Sequence, residues 1–253
     1  MTVEAQASGA AGLRRFVKRP AGAPPGPPPG LPPSIQEILA ARAAARSDRD
    51  AAAGIERCEM CREALGERHG HVVDLEKRSL ACTCRACYLL FTHEGAAGGQ
   101  YRAVPEHVSH DPGRPLTDAD WNELQIPVAM AFFFCNSSLG RVVAGYPSPA
   151  GVTECELDLA AWDRLAAAHP LLATLAPDVE AIFVNRAEPG SAAPPGYEVF
   201  LIPIDECYSL VGELRMKWQG FDGGAEAHAA LAAFLGSLRD RARTLAPEER
   251  ADG

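Results

Sequence analysis

Two cysteine pairs constrain this chain more than any other feature. The first is Cys58-Glu-Met-Cys61; the second run, about twenty residues on, is Cys82-Thr-Cys84-Arg-Ala-Cys87. Five of the eight cysteines fall within these thirty positions. A CxxC pair places two thiols on one tight turn, and a second pair completes four ligands around a single ion. Between the pairs, residues 71–75 read as a strand, 76–78 as a turn and 79–83 as the returning strand. The sequence after Cys84 suits the first turns of a helix. Knuckle, hairpin and a helix carrying the last ligands is the order of a treble-clef finger. A rubredoxin-like or zinc-ribbon module shares both pairs but has another strand where the helix would stand.

The fifth thiol leaves the ligand set open. A structural zinc site takes four ligands, with sulfur at about 2.3 Å. The expected set is Cys58, Cys61, Cys84 and Cys87, which repeats one compact knuckle. Cys82 and Cys84 are two apart and would share a face of a strand, roughly 6.6 Å apart, so Cys82 is a spare ligand or a thiol beside the site. His71 and His93 are further fallback ligands. Tight knuckles often carry glycine after their second cysteine, where backbone N–H groups turn toward sulfur; Arg62 and Tyr88 stand there instead. Four thiolates hold zinc, a single iron or an iron–sulfur cluster. Zinc is the expected ion and mononuclear iron the alternative. Disulfides are the competing reading; the chain shows no secretory signal, and a reducing cytoplasm keeps thiols free.

The 253 residues carry a formal net charge of −9, which argues against broad nucleic-acid binding. Residues 1–50 hold seven basic and four acidic side chains, a local +3, so the remainder carries −12. No apolar run approaches the ~18 residues of a membrane span. These points lead to an expected cytoplasmic protein.

Taken in order, residues 1–33 read as a tail. Its stretch 20–33 is dominated by Pro, Gly and Ala, and the basic run 12–19 is either a docking peptide for an acidic partner or a solvated tail. Residues 34–54 hold a capping box at Ser34-Ile-Gln-Glu37, a short helix and a linker. Residues 55–96 form the metal module, and a run of small residues at 95–99 marks a boundary. Residues 100–243 form an α+β domain with a mostly antiparallel sheet, and 244–253 a C-terminal tail. Within that domain Thr117 caps a helix. Apolar strands at 128–134 and 141–146 make a hairpin, which the prolines of 147–151 end. Asp158 caps a helix reaching residue 168. Strands at 179–185 and 197–204 pair around Pro194-Pro195-Gly196, and helices at 206–218 and 225–243 come after them.

No GxSxG, HExxH, Walker loop or strand-preceded GxGxxG occurs. Cys135, Cys155 and Cys207 read as small buried residues. Asp205 and Glu206 read as carboxylates at a helix N-terminus. The Gly220–Gly224 loop reads as a plain loop or an anion site. Trp121, Trp162 and Trp218 read as core or interface anchors, and His228 as solvated.

Several segments together resemble a known family. They are Gly-Leu-Arg-Arg-Phe in the tail, Cys58-x-x-Cys61, His69-Gly-His71, Cys82-x-Cys84-x-x-Cys87, Ile126-Pro127, residues 132–134, Tyr146-Pro-Ser-Pro-Ala-Gly151, Asn185-Arg186 and Pro203-Ile-Asp205-x-Cys207-Tyr208. The pattern, from residue 12 to about 240, is similar to a bacterial family of unknown function encoded beside NiFe uptake hydrogenase genes. The resemblance implies a part in the assembly, maturation or electron traffic of a NiFe hydrogenase, with a hydrogenase subunit or maturation factor as partner. The expected function is a zinc-binding accessory protein; the alternative is an iron electron carrier serving the same enzyme.

Overall fold

The computed structural model describes residues 54–93, 95–187, 195–220 and 223–245. The tail at 1–33, the capping-box helix and nearly all of its linker lie outside these residues, as do residues 246–253. So do Pro194 and the middle of the Gly220–Gly224 loop.

Strand β1 (Gly70–Asp74) pairs antiparallel with β2 (Ser79–Thr83), placing Asp74 opposite Ser79 around a four-residue turn. Asp74 starts that turn: its carboxylate accepts from the backbone N–H groups of Glu76 and Lys77, each at 3.1 Å. Helix α1 (Arg85–Leu90) begins directly after β2, with Cys84 as its N-cap. Strand β3 (Tyr101–Ala103) then returns to β1, so the sheet order is β2-β1-β3. This third strand lies past the boundary expected at 95–99.

Side-chain alternation gives this small sheet two working faces. Val72 and Ala81, with Ala103 of β3, pack against Tyr88 of α1. Val73 and Leu80 face the other way, onto Val104, Val179 and Ile204.

Among the described residues the second sheet has seven strands. They are β4 (Ser109–His110), β5 (Met130–Asn136), β6 (Arg141–Ser148), β7 (Gly151–Cys155), β8 (Glu180–Arg186), β9 (Tyr197–Pro203) and β10 (Arg243–Thr244), in the order β10-β4-β9-β8-β5-β6-β7. Every pairing is antiparallel except β10 with β4. Both expected hairpins form, β5 with β6 and β8 with β9. The prolines do not end β6 where expected. The strand passes through Pro147 to Ser148, and Gly151, at φ 121°, closes a tight turn into β7.

Helices α2 (Asp118–Glu123), α3 (Leu159–Ala168) and α4 (Pro170–Ala173) accompany one face, α5 (Ile204–Lys217) and α6 (Gly224–Arg241) the other. Thr117 caps α2 through a reciprocal capping box with Asp120, and Asp158 caps α3. Successive strand residues serve opposite faces: Phe133, Ile182 and Leu201 pack with Trp121 and Trp162, while Phe132, Phe183 and Phe200 pack with Leu210 and Leu238. A sheet covered on both faces explains the unbroken apolar runs. Trp121 and Trp162 are buried, while Trp218 is half-buried and donates to the Gly220 carbonyl at 3.1 Å. The chain is a mixed α+β protein with antiparallel sheets, and its described residues from Ile55 onward cluster as one compact unit.

Candidate metal centre

The first pair of cysteines lies on a knuckle pinned by its own backbone. Cys58 N–H donates to Glu63 O and Arg62 N–H to Cys58 O, both at 2.8 Å, and Leu65 N–H closes the loop onto Glu56 O at 2.8 Å. The knuckle is stitched to the edge of β2: Glu59 N–H donates to Cys82 O at 2.9 Å, and Glu59 Oε1 accepts from Cys82 N–H at 2.9 Å. Arg62, in the place where glycine was expected, adopts φ 66°. The turn therefore takes the left-handed shape that glycine would supply, at a cost of about 1–2 kcal/mol for a side-chain-bearing residue. Its carbonyl accepts from Arg57 Nη1 at 2.9 Å.

The second pair comes from the start of α1. Cys84 is the N-cap, extended at φ −69° and ψ 162°, and Cys87 lies in the first turn. The sulfurs of Cys58, Cys61, Cys84 and Cys87 all lie within 4.8 Å of one another, and Cys61 Sγ is 3.6 Å from Cys84 Sγ. A tetrahedron with ligands at about 2.3 Å puts its sulfurs about 3.8 Å apart. A disulfide would need about 2.05 Å, and all eight cysteines are free thiols. The quartet fits one metal ion. An iron–sulfur cluster sets several metal atoms between its thiolates and needs them wider apart.

The electrostatics favour the same reading. Burial opposes ionisation of Cys58, yet the backbone N–H groups of Cys84, Cys61 and Met60 bring its thiol down to about 6. Burial and contact with the Cys61, Cys84 and Cys58 sulfurs push the Cys87 thiol well up. At Cys61 the Glu63 N–H and the Cys87 thiol favour the thiolate, but the Cys58 and Cys84 sulfurs prevail and raise it. One thiolate thus suppresses the next, and a divalent cation at the centre reverses that repulsion. Cys58 is fully buried and Cys87 nearly so, while Cys61 is exposed.

Cys82 falls outside the quartet. Strand β2 ends at Thr83, whose hydroxyl donates to Gly70 O at 2.9 Å on the α1 side of the hairpin. Cys84 has already left the strand to cap the helix, so the expected shared face is lost. Cys82 lies opposite His71, and its sulfur groups with the ring nitrogens of His69 and His71, all within 4.8 Å. Burial first, then contact with Glu56 and the negative charges of Glu56, Glu59 and Asp205, push the Cys82 thiol up to about 12. His93 is exposed and joins neither group.

The remaining candidates stay apart. Cys207 is buried on α5, and Cys135 and Cys155 are half-buried on separate strands. His228 is exposed. The carboxylates opening α5 both have partners: Asp205 Oδ2 lies 2.7 Å from His71 Nδ1, and Glu206 Oε1 lies 2.7 Å from Arg241 Nη1. The Asp205 contact joins the small sheet to α5. Among the described residues no helix is long and apolar enough to cross a membrane.

No curated protein and no solved structure matches the chain. A family model described as a family of unknown function (DUF5947) matches residues 57–242, from the knuckle to the end of α6. The matched span takes in both cysteine pairs, the small sheet and every strand of the second sheet but β10, and the chain belongs to this DUF5947 family.

Proposed function

We propose that the chain is a zinc-stabilised accessory protein, in which one ion held by Cys58, Cys61, Cys84 and Cys87 fixes a treble-clef-like finger. The observation that carries this reading is the quartet itself: four free thiols whose sulfurs lie within 4.8 Å of one another, two of them at the start of a helix. A rubredoxin-like iron site would take its second pair from another loop leading into a strand; α1 stands there instead. The small sheet has few buried residues of its own, so the free energy of metal binding acts as folding energy for this segment. Its partner is a NiFe hydrogenase subunit or maturation factor, a reading that comes from the sequence resemblance.

Metal analysis by mass spectrometry, on protein purified without metal additives, tests the ion. About one tightly held zinc per chain and a colourless solution are expected. One iron and a red colour would replace this reading with the electron carrier. For the partner, affinity capture from the native host recovers hydrogenase components with the wild type and loses them with Cys58→Ser. Recovery of none under conditions that preserve hydrogenase complexes defeats the partner assignment.

A further inference from the structure

The hairpin face turned away from α1 carries His69, His71 and Cys82, and their hydrogen-bonding pattern is that of ligands already oriented. His71 Nδ1 lies 2.7 Å from Asp205 Oδ2, and His69 Nδ1 lies 3.0 Å from the Gly66 carbonyl. Metal-binding histidines characteristically give one ring nitrogen to a carboxylate or backbone carbonyl, which fixes the tautomer and leaves the other as ligand. In both rings the nitrogen left is Nε2. His69 Nε2 is buried and has no hydrogen-bond partner, a costly state for a polar atom unless something binds it. Glu56 stands beside it: Oε2 is 3.8 Å from His69 Nε2, and Oε1 accepts from Cys82 Sγ at 3.2 Å.

We infer that His69, His71 and Cys82, with Glu56 as the fourth donor, form a second cation site, distinct from the tetrathiolate, for a divalent transition ion of the zinc class. Two imidazoles, one thiolate and one carboxylate suit such an ion of borderline softness. The two negative ligands also balance a dication, whereas four thiolates overcompensate it. Cross-strand pairing of His71 with Cys82 sets two ligands, and the i, i+2 spacing of His69 adds the third. Asp205 ties the site to the first turn of α5. This site offers one thiolate where the quartet offers four, so its ion exchanges more readily than the one in the quartet.

Cobalt titration of the full chain, stripped of metal under reducing conditions, tests the site. Two equivalents of Co²⁺ are expected. The first brings the strong thiolate-to-cobalt absorption of four sulfurs, and the second adds a smaller increment from one. His69→Gln with Cys82→Ser should bind one equivalent and keep the four-sulfur band. Asp205→Asn removes only the partner of His71 and should weaken the second equivalent about 10- to 100-fold while sparing the first. It decides the matter should the double variant fail to fold. Saturation of the wild type at one equivalent, two equivalents in the double variant, or an unchanged second affinity in Asp205→Asn would each overturn the inference.

Discussion

Gly70→Ala is the substitution through which the metal centre can be reached without touching a ligand. Gly70 opens β1 on the face that meets α1, and its backbone needs no left-handed φ. Space alone demands the glycine. A Cβ there would stand 2.6 Å from Tyr88 Cδ2, 2.8 Å from its Cγ and 3.0 Å from its Cβ. The clash falls on the root of the ring, where no rotamer change relieves it cheaply. Tyr88 is further held by its hydroxyl, which donates to Val104 O at 2.8 Å. The helix must therefore shift, and Cys84 and Cys87 shift with it. Overpacking of this kind costs about 1–3 kcal/mol. Borne wholly by the bound state, that is roughly a five- to 150-fold loss of metal affinity. Competition against a chromogenic chelator measures it. Wild-type affinity in Gly70→Ala would show that α1 does not rest on β1 as described.

Other perturbations read other parts of the molecule. Chelation under reducing conditions should strip hydrogen-exchange protection from β1, β2 and β3 while β8 and β9 keep theirs; equal loss in both sheets would refute a local role for the metal. Arg62→Gly should raise thermal stability by up to about 1 kcal/mol by relieving the left-handed knuckle residue, and a lower melting temperature would refute that source of strain. His169 supplies a pH test. Its Nε2 bonds the Arg114 carbonyl, its Nδ1 is buried without a partner, and burial holds its pKa below the ordinary value. The unfolded chain therefore binds the proton more readily, so this contribution is complete above about pH 6.5 and is lost as pH falls. Urea titrations should show a shallower pH slope for His169→Gln than for the wild type below that value; parallel slopes would refute the assignment.

The cysteine spacing was enough to foresee the quartet, because CxxC constrains both local turns and the helix cap depends only on the residues after Cys84. The apolar runs at 128–134, 179–185 and 197–204 foretold the central strands, since a sheet buried on both faces leaves no alternation to misread. Short strands such as β3, β4 and β10 carry two or three residues each, too few for any period to register. The second group of ligands depended on one residue of register. A turn at 76–78 would pair Cys82 with Val72, on the α1 face. The observed turn at 75–78, anchored by the Asp74 carboxylate, pairs Cys82 with His71. A one-residue slip exchanges the faces of a strand, so that aspartate was the signal from which the cluster could have been found. The Asp205 contact had no such signal, for it joins positions far apart in sequence.

The register also decides how far the metal's influence reaches. Gly70 and Val72 bear on the helix that carries Cys84 and Cys87, while His71 and Val73 of the same strand bear on Asp205 and Ile204. Strand β1 is thus the shared wall between the tetrathiolate and the first turn of α5. β3 adds to it from beyond the expected boundary, with Val104 N–H donating to His71 O at 3.0 Å. A displacement of α1 cannot be absorbed in the loop at 95–99, because Ala103 N–H of β3 donates to Phe91 O at the end of α1 at 3.0 Å, and β3 is itself paired with β1. It must pass through β1 to the residues that open α5. An ion bound at His69, His71 and Cys82 would then sit on the same strand as the support of the first ion's helix. The two sites would be coupled through packing, and loss of the tetrathiolate metal should weaken the second ion.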